Sequence, residues 1–449
     1  MDLNKILIEH LLYPAMELKN GNRTRQYTKE LLASEKLSLE ELKALQRQRL
    51  KELLLHCKRT VPAYAALDEA LIEEDPYKAL RSIPPLGKDQ FNRNPDLYLS
   101  SAVPAADRIP NNTGGSTGVP TRFFMTRPQV EQYEAARWRG LGRFGVTFGS
   151  RSVMLWGNPI ELSQAEQKSY AQKEKLLKNR LIVSAYNLSQ DSAEEFIELL
   201  NSYKPEYLYG YANALKVFAQ MIDPSKLKIR LKAVVSTSET LVDEDRDLIA
   251  SAFGCPVANE YGARDAGILA YSCPKGHMHL NIENAFFEVL DPRTLEPIEK
   301  AGESGVLAVT DLLTRAQPRL RWLLGDSITL SDDTPDCGIT LPLVKSIDGR
   351  NDAILVGSGG KLIHGHSLYH ILRNYPSVRQ FQFIQHSPEK CTLILAADRQ
   401  DEISEETAKE ITSRINEIEA SWQIETRFVD SIEVPASGKV RYAIREFPL

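Results

Sequence analysis

The sequence predicts an α/β fold. A large N-terminal domain over 1–348 has a helical start, parallel sheets and a small β subdomain, and a small, mobile α+β C-terminal domain covers 349–449. Three observations predict it. From about residue 111, short β-rich runs alternate with helical stretches, the pattern of buried, largely parallel strands. Between about 280 and 345 the chain turns strand-rich, which fits an antiparallel or barrel-like subdomain. After the polar, glycine-rich segment IDGRNDAILVGSGGKLIHG a new series of about 100 residues begins, long enough to fold semi-independently.

Taken in order, LSLEELKALQRQRLKELLLHCKRTVPAY has apolar residues at helical spacing, and Pro62 ends the run. Strands are expected at SVMLWGNP, RLIVSAYNL, YLYGYA, LKAVVSTSE and CPVANEYGA, with helices at SAEEFIELLNSYK and DEDRDLIASAF between them. The strand-rich part comprises AFFEVLDP, GVLAVTDL and LRWLLGDSITL. In the tail, helices are expected near SLYHILRNY and EISEETAKEITSRINEIEASW, and strands at RQFQFIQH, KCTLILAAD, IETRFVD and VRYAIRE.

Composition narrows the function classes. A hydrophobic content of 42% and a charged content of 26% are those of a soluble globular protein. A net charge of −5 argues against a general nucleic-acid binder, whose phosphate partners favour a basic surface. No apolar run reaches the length of a membrane span. The amino terminus reads as a short amphipathic helix and not a signal peptide. Five cysteines in 449 residues do not make a disulfide scaffold, so a cytoplasmic location is expected.

The segment Thr113-Gly114-Gly115-Ser116-Thr117-Gly118 holds three glycines and three hydroxyls. Glycines let successive amide N–H groups converge on an anion, because no Cβ blocks the approach. The Gly-Lys-Ser/Thr ending of a Walker A loop is missing. Taken alone, the hexapeptide reads equally well as a phosphate cradle or a surface turn.

Four further segments follow in a fixed order: VVSTSETL (234–241), NEYGARDAG (259–267), QPRLRWLLGD (317–326) and DGRNDAILVGSGGK (348–361). VPASGKVR (434–441) stands near the end. Together these resemble the ordered core motifs of the adenylate-forming superfamily, which includes acyl-CoA synthetases, luciferases and nonribosomal peptide adenylation domains. HCKRTVPAYAAL and YGARDAGILAYSCPKGHMHLNIENAFFEVL are most similar to the branch of phenylacetate–CoA ligase, coenzyme F390 synthetase and CapK-like proteins. The resemblance runs over about residues 45–445.

The resemblance implies a set of roles. Thr113, Gly114, Gly115, Ser116, Thr117 and Gly118 would hold the β- and γ-phosphates of ATP, with Thr117 at the catalytic end. Glu260, Tyr261 and Gly262 match the motif that supports adenine. Ser236, Ser238 and Glu239 lie on the segment that lines the acyl pocket and the nucleotide, with Ser236 on the pocket side. Asp326 matches the carboxylate that accepts the ribose hydroxyls, whose cis-diol suits its two oxygens. Arg350 matches an arginine on ribose or phosphate, and Asp352 the hinge between the domains. Lys439 matches the lysine that reaches the α-phosphate during adenylation, where an ammonium neutralises developing charge. Asp265 stands where the family usually has a Mg²⁺-holding Glu. A carboxylate remains for a hard cation, one methylene shorter; a helix-terminal Asp is the plain alternative. Tyr133, Trp138, Trp156, Tyr209 and Tyr211 are candidate pocket walls, each individually as suited to a core, and a planar acid favours aromatic walls.

Cys255, Cys273, His277, His279 and Cys337 fall where some relatives hold a structural metal. Thiols and an imidazole suit a tetrahedral zinc site, although the spacing is not that of a standard finger. Buried free thiols are the alternative.

The expected activity is ATP- and Mg²⁺-dependent activation of a carboxylic acid to its acyl-adenylate, then transfer to coenzyme A or another acceptor. The alternatives are an amide- or ester-forming ligase of polysaccharide or secondary metabolism, and a nucleotide-binding homologue that has lost catalysis. A two-fold homodimer is the default assembly.

Overall fold

A computed structural model describes residues 3–113, 121–156, 164–184, 190–350, 354–372, 374–375, 377–378, 380–397, 403–432 and 442–447. The chain forms two compact units. The first comprises Met1–Glu288, Ala308–Leu324 and Leu330–Lys345, and the second Val289–Leu307, Gly325–Thr329 and Ser346–Leu449. The last crossing between them lies at Lys345/Ser346. In addition, two segments of the strand-rich region, 289–307 and 325–329, belong to the second unit.

The first unit opens with helices, among them α1 (Thr24–Ser34) and α2 (Leu39–Thr60). A capping box starts α2: the Ser38 hydroxyl accepts the Glu41 N–H, and the Glu41 carboxylate accepts the Ser38 N–H. Leu42, Leu50, Leu53, Leu54 and Cys57 form its buried stripe. A hairpin of β1 (Ile109–Asn112) and β2 (Arg122–Met125) follows, with Ile109 opposite Met125 and Asn112 opposite Arg122. Next come α3 (Arg127–Gly142), β3 (Ser152–Trp156), α4 (Gln164–Lys178), β4 (Arg180–Ser184), α5 (Gln190–Tyr203), β5 (Tyr207–Tyr211), α6 (Ala212–Met221), β6 (Ala233–Thr237), α7 (Asp243–Phe253), β7 (Val257–Ala263), β8 (Gly267–Ser272) and β9 (Met278–Leu280).

Strands β4, β3, β5, β6 and β7 pair in that order, all parallel, as the alternation of short apolar runs and helices demands. Strands β8 and β9 extend the run antiparallel. Both faces of the parallel run are covered. Val153, Leu155, Leu208 and Val234 pack with Phe196, Leu215, Phe218 and Ile249 of α5, α6 and α7. Tyr207, Tyr209, Ala233 and Val235 pack on the other face with Ala135 and Ala136 of α3 and Leu31 of α1.

The strand-rich part supplies β10 (Ala285–Leu290), β11 (Ser304–Asp311), β12 (Trp322–Leu330) and β13 (Leu343–Arg350). The second unit continues with β14 (Ile354–Val356), β15 (Leu362–His364), α8 (His366–Leu372), β16 (Gln380–Gln385), β17 (Lys390–Ala396), α9 (Glu405–Ile418), β18 (Gln423–Val429) and β19 (Ala443–Arg445). Its four-stranded sheet has the order β18-β17-β16-β19, and β14 pairs with β15. The side-chain amide of Gln385 joins the two: its Oε1 accepts the Val356 N–H at 2.9 Å and its Nε2 donates to the Val356 carbonyl at 2.7 Å. The fold class is thus the one expected, with a mixed sheet where the antiparallel strands join.

Candidate active site

The carboxyl ends of parallel strands form the usual ligand crevice of an α/β sheet. Here they carry Trp156, Tyr211, Thr237 and Glu260, since Tyr211 is in register with Thr237 and Thr237 with Glu260. Side chains two apart share a face, which places Tyr209, Tyr211, Thr237 and Glu260 together toward α3. The Glu260 carboxylate is buried there and accepts from the Tyr209 hydroxyl at 2.7 Å and from Arg137 Nε at 3.1 Å and Nη2 at 3.2 Å. Arg137 also reaches Glu134 at 3.0 Å, and its guanidinium lies over the Tyr209 ring. Burial pushes the Tyr209 phenol well above its ordinary value, so it stays a donor. Trp156 stacks on Tyr211 with centroids 4.4 Å apart and lies 6.0 Å from Tyr209. The structure therefore brings Trp156, Tyr209, Tyr211 and Glu260 into one aromatic and charged cluster.

Ser236 falls on the opposite face, the side of Val234 and α6, so it does not join those rings. It is fully buried, and its hydroxyl has no hydrogen-bond partner among the described residues. Ser238 turns the chain with φ 69°, a left-handed conformation. The Glu239 carboxylate then accepts the Asn213 N–H at 2.8 Å in the first turn of α6. Tyr261 and Gly262 flank the bulge where β7 shifts register against β8. A Cβ on Gly262 would meet the Gly267 carbonyl at 2.6 Å, so the close strand approach requires glycine there.

Tyr133 belongs to another group. Its hydroxyl donates to Asp311 and receives Gln129 Nε2 at 2.9 Å, and its ring fills the space a Cβ on Gly267 would need. Trp138 stacks on Phe148.

Asp265 is buried, and its Oδ2 accepts the Trp322 indole N–H at 2.9 Å. Its carbonyl accepts Arg319 Nη2 at 2.9 Å. Arg319 lies among Phe91, Phe123 and Trp322, 4.3 Å above the Phe123 ring. Gln317 Oε1 accepts the Phe124 N–H at 3.0 Å, which ties β2 to the same segment. At the mouth of the hairpin, Thr113 N–H donates to the Thr121 carbonyl at 3.0 Å and Thr121 N–H to Thr113 Oγ1 at 3.1 Å. Gly114, Gly115, Ser116, Thr117 and Gly118 lie outside the described residues, as do Asp352 and Lys439. In the second unit Asp326 lies on β12 and Arg350 ends β13.

Arg137, Gln317, Arg319 and Trp322 were not singled out from the sequence. The last three stand inside the QPRLRWLLGD motif, a signal that was available. Arg137 carries none, since a helical arginine is ordinarily solvated.

Cys273, His279 and Cys337 converge, with their ligand atoms all within 4.8 Å of one another. His279 Nδ1 lies 3.1 Å from the Leu341 carbonyl and Nε2 lies 3.2 Å from Cys337 Sγ. A proton on Nδ1 satisfies the carbonyl and turns the Nε2 lone pair toward the thiols. Burial lowers the His279 ring to about 4, so it is neutral near pH 7. His277 instead pairs with Asp336 at 2.7 Å. Cys255 is not in this group; it packs with Phe253 and Val257 in the core beside α7.

Residues 355–446 match the CapK C-terminal domain. Protein CapK of Staphylococcus aureus is 25% identical over 415 residues, covering 90% of this chain and 89% of that one. The phenylacetate-coenzyme A ligase of Thermus thermophilus is 27% identical over 338 residues, covering 72% and 74%. The chain is thus similar to CapK and to phenylacetate-coenzyme A ligases over most of its length. Its fold is similar to that of 2-hydroxyisobutyryl-CoA ligase, with a TM-score of 0.69, 17% identity and coverage of 92% of this chain and 91% of the other. The matched range, 355–446, contains Lys439.

Proposed function

We propose that the protein is an AMP-forming ligase that activates a carboxylic acid with ATP and passes the acyl group to coenzyme A. The observation that carries this reading is the relationship to the phenylacetate-coenzyme A ligases over 72% of the chain, joined to the ordered motifs around the strand ends. In the first step the acid's carboxylate attacks the α-phosphorus and pyrophosphate leaves. In the second the thiol attacks the acyl carbonyl and AMP leaves.

Residues Thr113 to Gly118 bind the leaving pyrophosphate, donors there stabilising the charge that develops on it. Tyr261 and Gly262 support adenine, with Ser238 and Glu239 beside the nucleotide. Beside that adenine-supporting segment the buried Glu260 also holds Arg137 and Tyr209 in place beneath the acyl pocket, which Trp156 and Tyr211 wall, while Asp311 and Gln129 order Tyr133. Asp326 binds the ribose, Arg350 binds ribose or phosphate, Asp352 is the hinge, and Lys439 neutralises the α-phosphate. Asp265 holds Mg²⁺. With Oδ2 taken by Trp322, its Oδ1 is the oxygen available to a hard cation. Cytoplasmic action as a two-fold dimer completes the reading. No helix among the described residues is long and apolar enough to cross a membrane.

An acid-dependent ATP–pyrophosphate exchange assay over aryl and short aliphatic acids tests the first step. No exchange with any acid, alongside ordinary ATP binding, would sink the ligase reading. AMP release that depends on another nucleophile and not on coenzyme A would point to the amide- or ester-forming alternative.

Cys273, His279 and Cys337 hold structural Zn²⁺. Two thiols and an imidazole with its far nitrogen already fixed form a donor set suited to that ion. We expect about one zinc per chain by elemental analysis, and its loss in Cys337→Ser. Stoichiometric zinc that persists in Cys337→Ser would count against this site.

A further inference from the structure

Three arginines from three separate elements line one cleft of about 790 Å³ in the first unit: Arg49 on α2, Arg127 at the start of α3, and Arg315 after β11. Among the described residues, their side-chain hydrogen bonds go to neutral acceptors. Arg49 Nη1 donates to the Glu283 carbonyl at 2.7 Å and to Asn284 Oδ1 at 3.3 Å. Arg315 Nη1 donates to the Leu312 and Thr314 carbonyls at 2.9 and 2.7 Å. Arg127 Nη1 donates to Asn22 Oδ1 at 2.9 Å. Among the described residues none of the three forms a salt bridge, although Glu52 and Asp107, both exposed, also line the cleft. Each guanidinium is thus held in place by one nitrogen, with further N–H groups left over.

Arg49 and Arg315 are close enough to feel one another. Burial is the main cause lowering Arg49 from its ordinary value; Glu283, Glu30 and Glu52 oppose it, and the charge of Arg315 adds a smaller lowering. Like charges gathered in a partly desolvated cleft repel unless an anion sits among them. The N-terminus of α3 opens on the same space without a side-chain cap at Thr126, adding its partial positive charge. The remaining wall mixes the polar Thr126 and Gln132 with apolar residues, including Ile109 and the buried Leu312 and Leu313. The volume is that of a site for a small molecule of nucleotide size.

We propose that this cleft binds a phosphate-bearing small molecule with an apolar or aromatic body, at a site separate from the strand-end crevice. None of the strand-end residues described above lines it. Arginine suits phosphate because its planar fork matches two oxygens at once. The phosphate has two possible sources, the nucleotide end of coenzyme A or a free phosphorylated metabolite that regulates the enzyme.

The test is isothermal titration of the full chain with adenosine 3′,5′-bisphosphate and with inorganic phosphate, on wild type, Arg315→Gln and Arg49→Gln. We expect saturable binding of at least one probe, weakened about tenfold or more in each variant, the scale of one charge-assisted contact. Either variant alone carries the test, and thermal unfolding shows that it is folded. If coenzyme A is the source, Arg315→Gln raises the KM for coenzyme A while pyrophosphate exchange is unchanged. If a free metabolite is the source, the coenzyme A KM stays constant and added phosphate alters exchange in wild type but not in Arg315→Gln. Absence of binding of both probes, or equal binding in wild type and both variants, overturns the proposal. The titration requires no catalytic turnover, so it stands apart from the ligase reading.

Discussion

Replacing Arg139 with methionine is expected to lower stability by about 3–5 kcal/mol, the cost of leaving a buried charge unpaired. Arg139 and Glu283 are each about 1% exposed and form an ion pair. The Arg139 guanidinium also donates to the Leu31 carbonyl and to Asn281 Oδ1, while Glu283 accepts the Ser34 hydroxyl at 2.7 Å. The pair thus joins α1, α3 and the turn before β10. Thermal unfolding of the single variant and of Arg139→Met/Glu283→Leu checks this. The double variant should recover most of the loss, because an apolar pair of similar volume replaces both charges. Equal losses in the two would mean that packing, and not the orphaned charge, sets the cost. The same pair predicts an acid limb. Burial by itself would raise the Glu283 carboxyl, but Arg139's charge and the hydrogen bonds around it together hold it below the ordinary glutamate value. Its folded value being the lower one, the stability it contributes is present above the unfolded value and is lost as pH falls through the folded value.

Lys439→Ala is expected to lower acid-dependent pyrophosphate exchange by about 100- to 1,000-fold, the effect of removing one group that stabilises charge in the transition state. ATP binding, measured by titration in the absence of acid, should change little. The reason is chemical: the ammonium acts on charge that develops as the carboxylate adds to phosphorus, so its contribution belongs to the transition state and not to the bound nucleotide. Equal losses in exchange and in ATP binding would assign Lys439 to ground-state binding instead.

Much of this was legible in the sequence because it is local. The apolar alternation in YLYGYA and LKAVVSTSE marks strands whatever surrounds them, and the helical spacing of 39–60 marks α2. The motifs named residues such as Glu260, and the strand register places it level with Thr237 and Tyr211. The partners of those residues were not legible. Arg137 is 123 positions from Glu260, and only the seating of α3 on the sheet brings them together. Glu260, read from its motif as an adenine-side residue, is therefore also the acceptor of Arg137 and Tyr209.

The cysteines make the same division. Spacing alone left Cys255, Cys273 and Cys337 equivalent candidates. Strand pairing decides among them: Cys273 follows β8 and His279 lies on β9, and β9 pairs with β13 at Leu343, bringing the segment with Cys337 alongside, whereas Cys255 enters β7 within the helix-side core. By itself the sequence determined the kinds of element, their order and the chemistry each motif carries, since these depend on side-chain period and residue type. The tertiary structure alone decided which distant charges and thiols meet, because that depends on sheet register and helix packing, which no local pattern encodes.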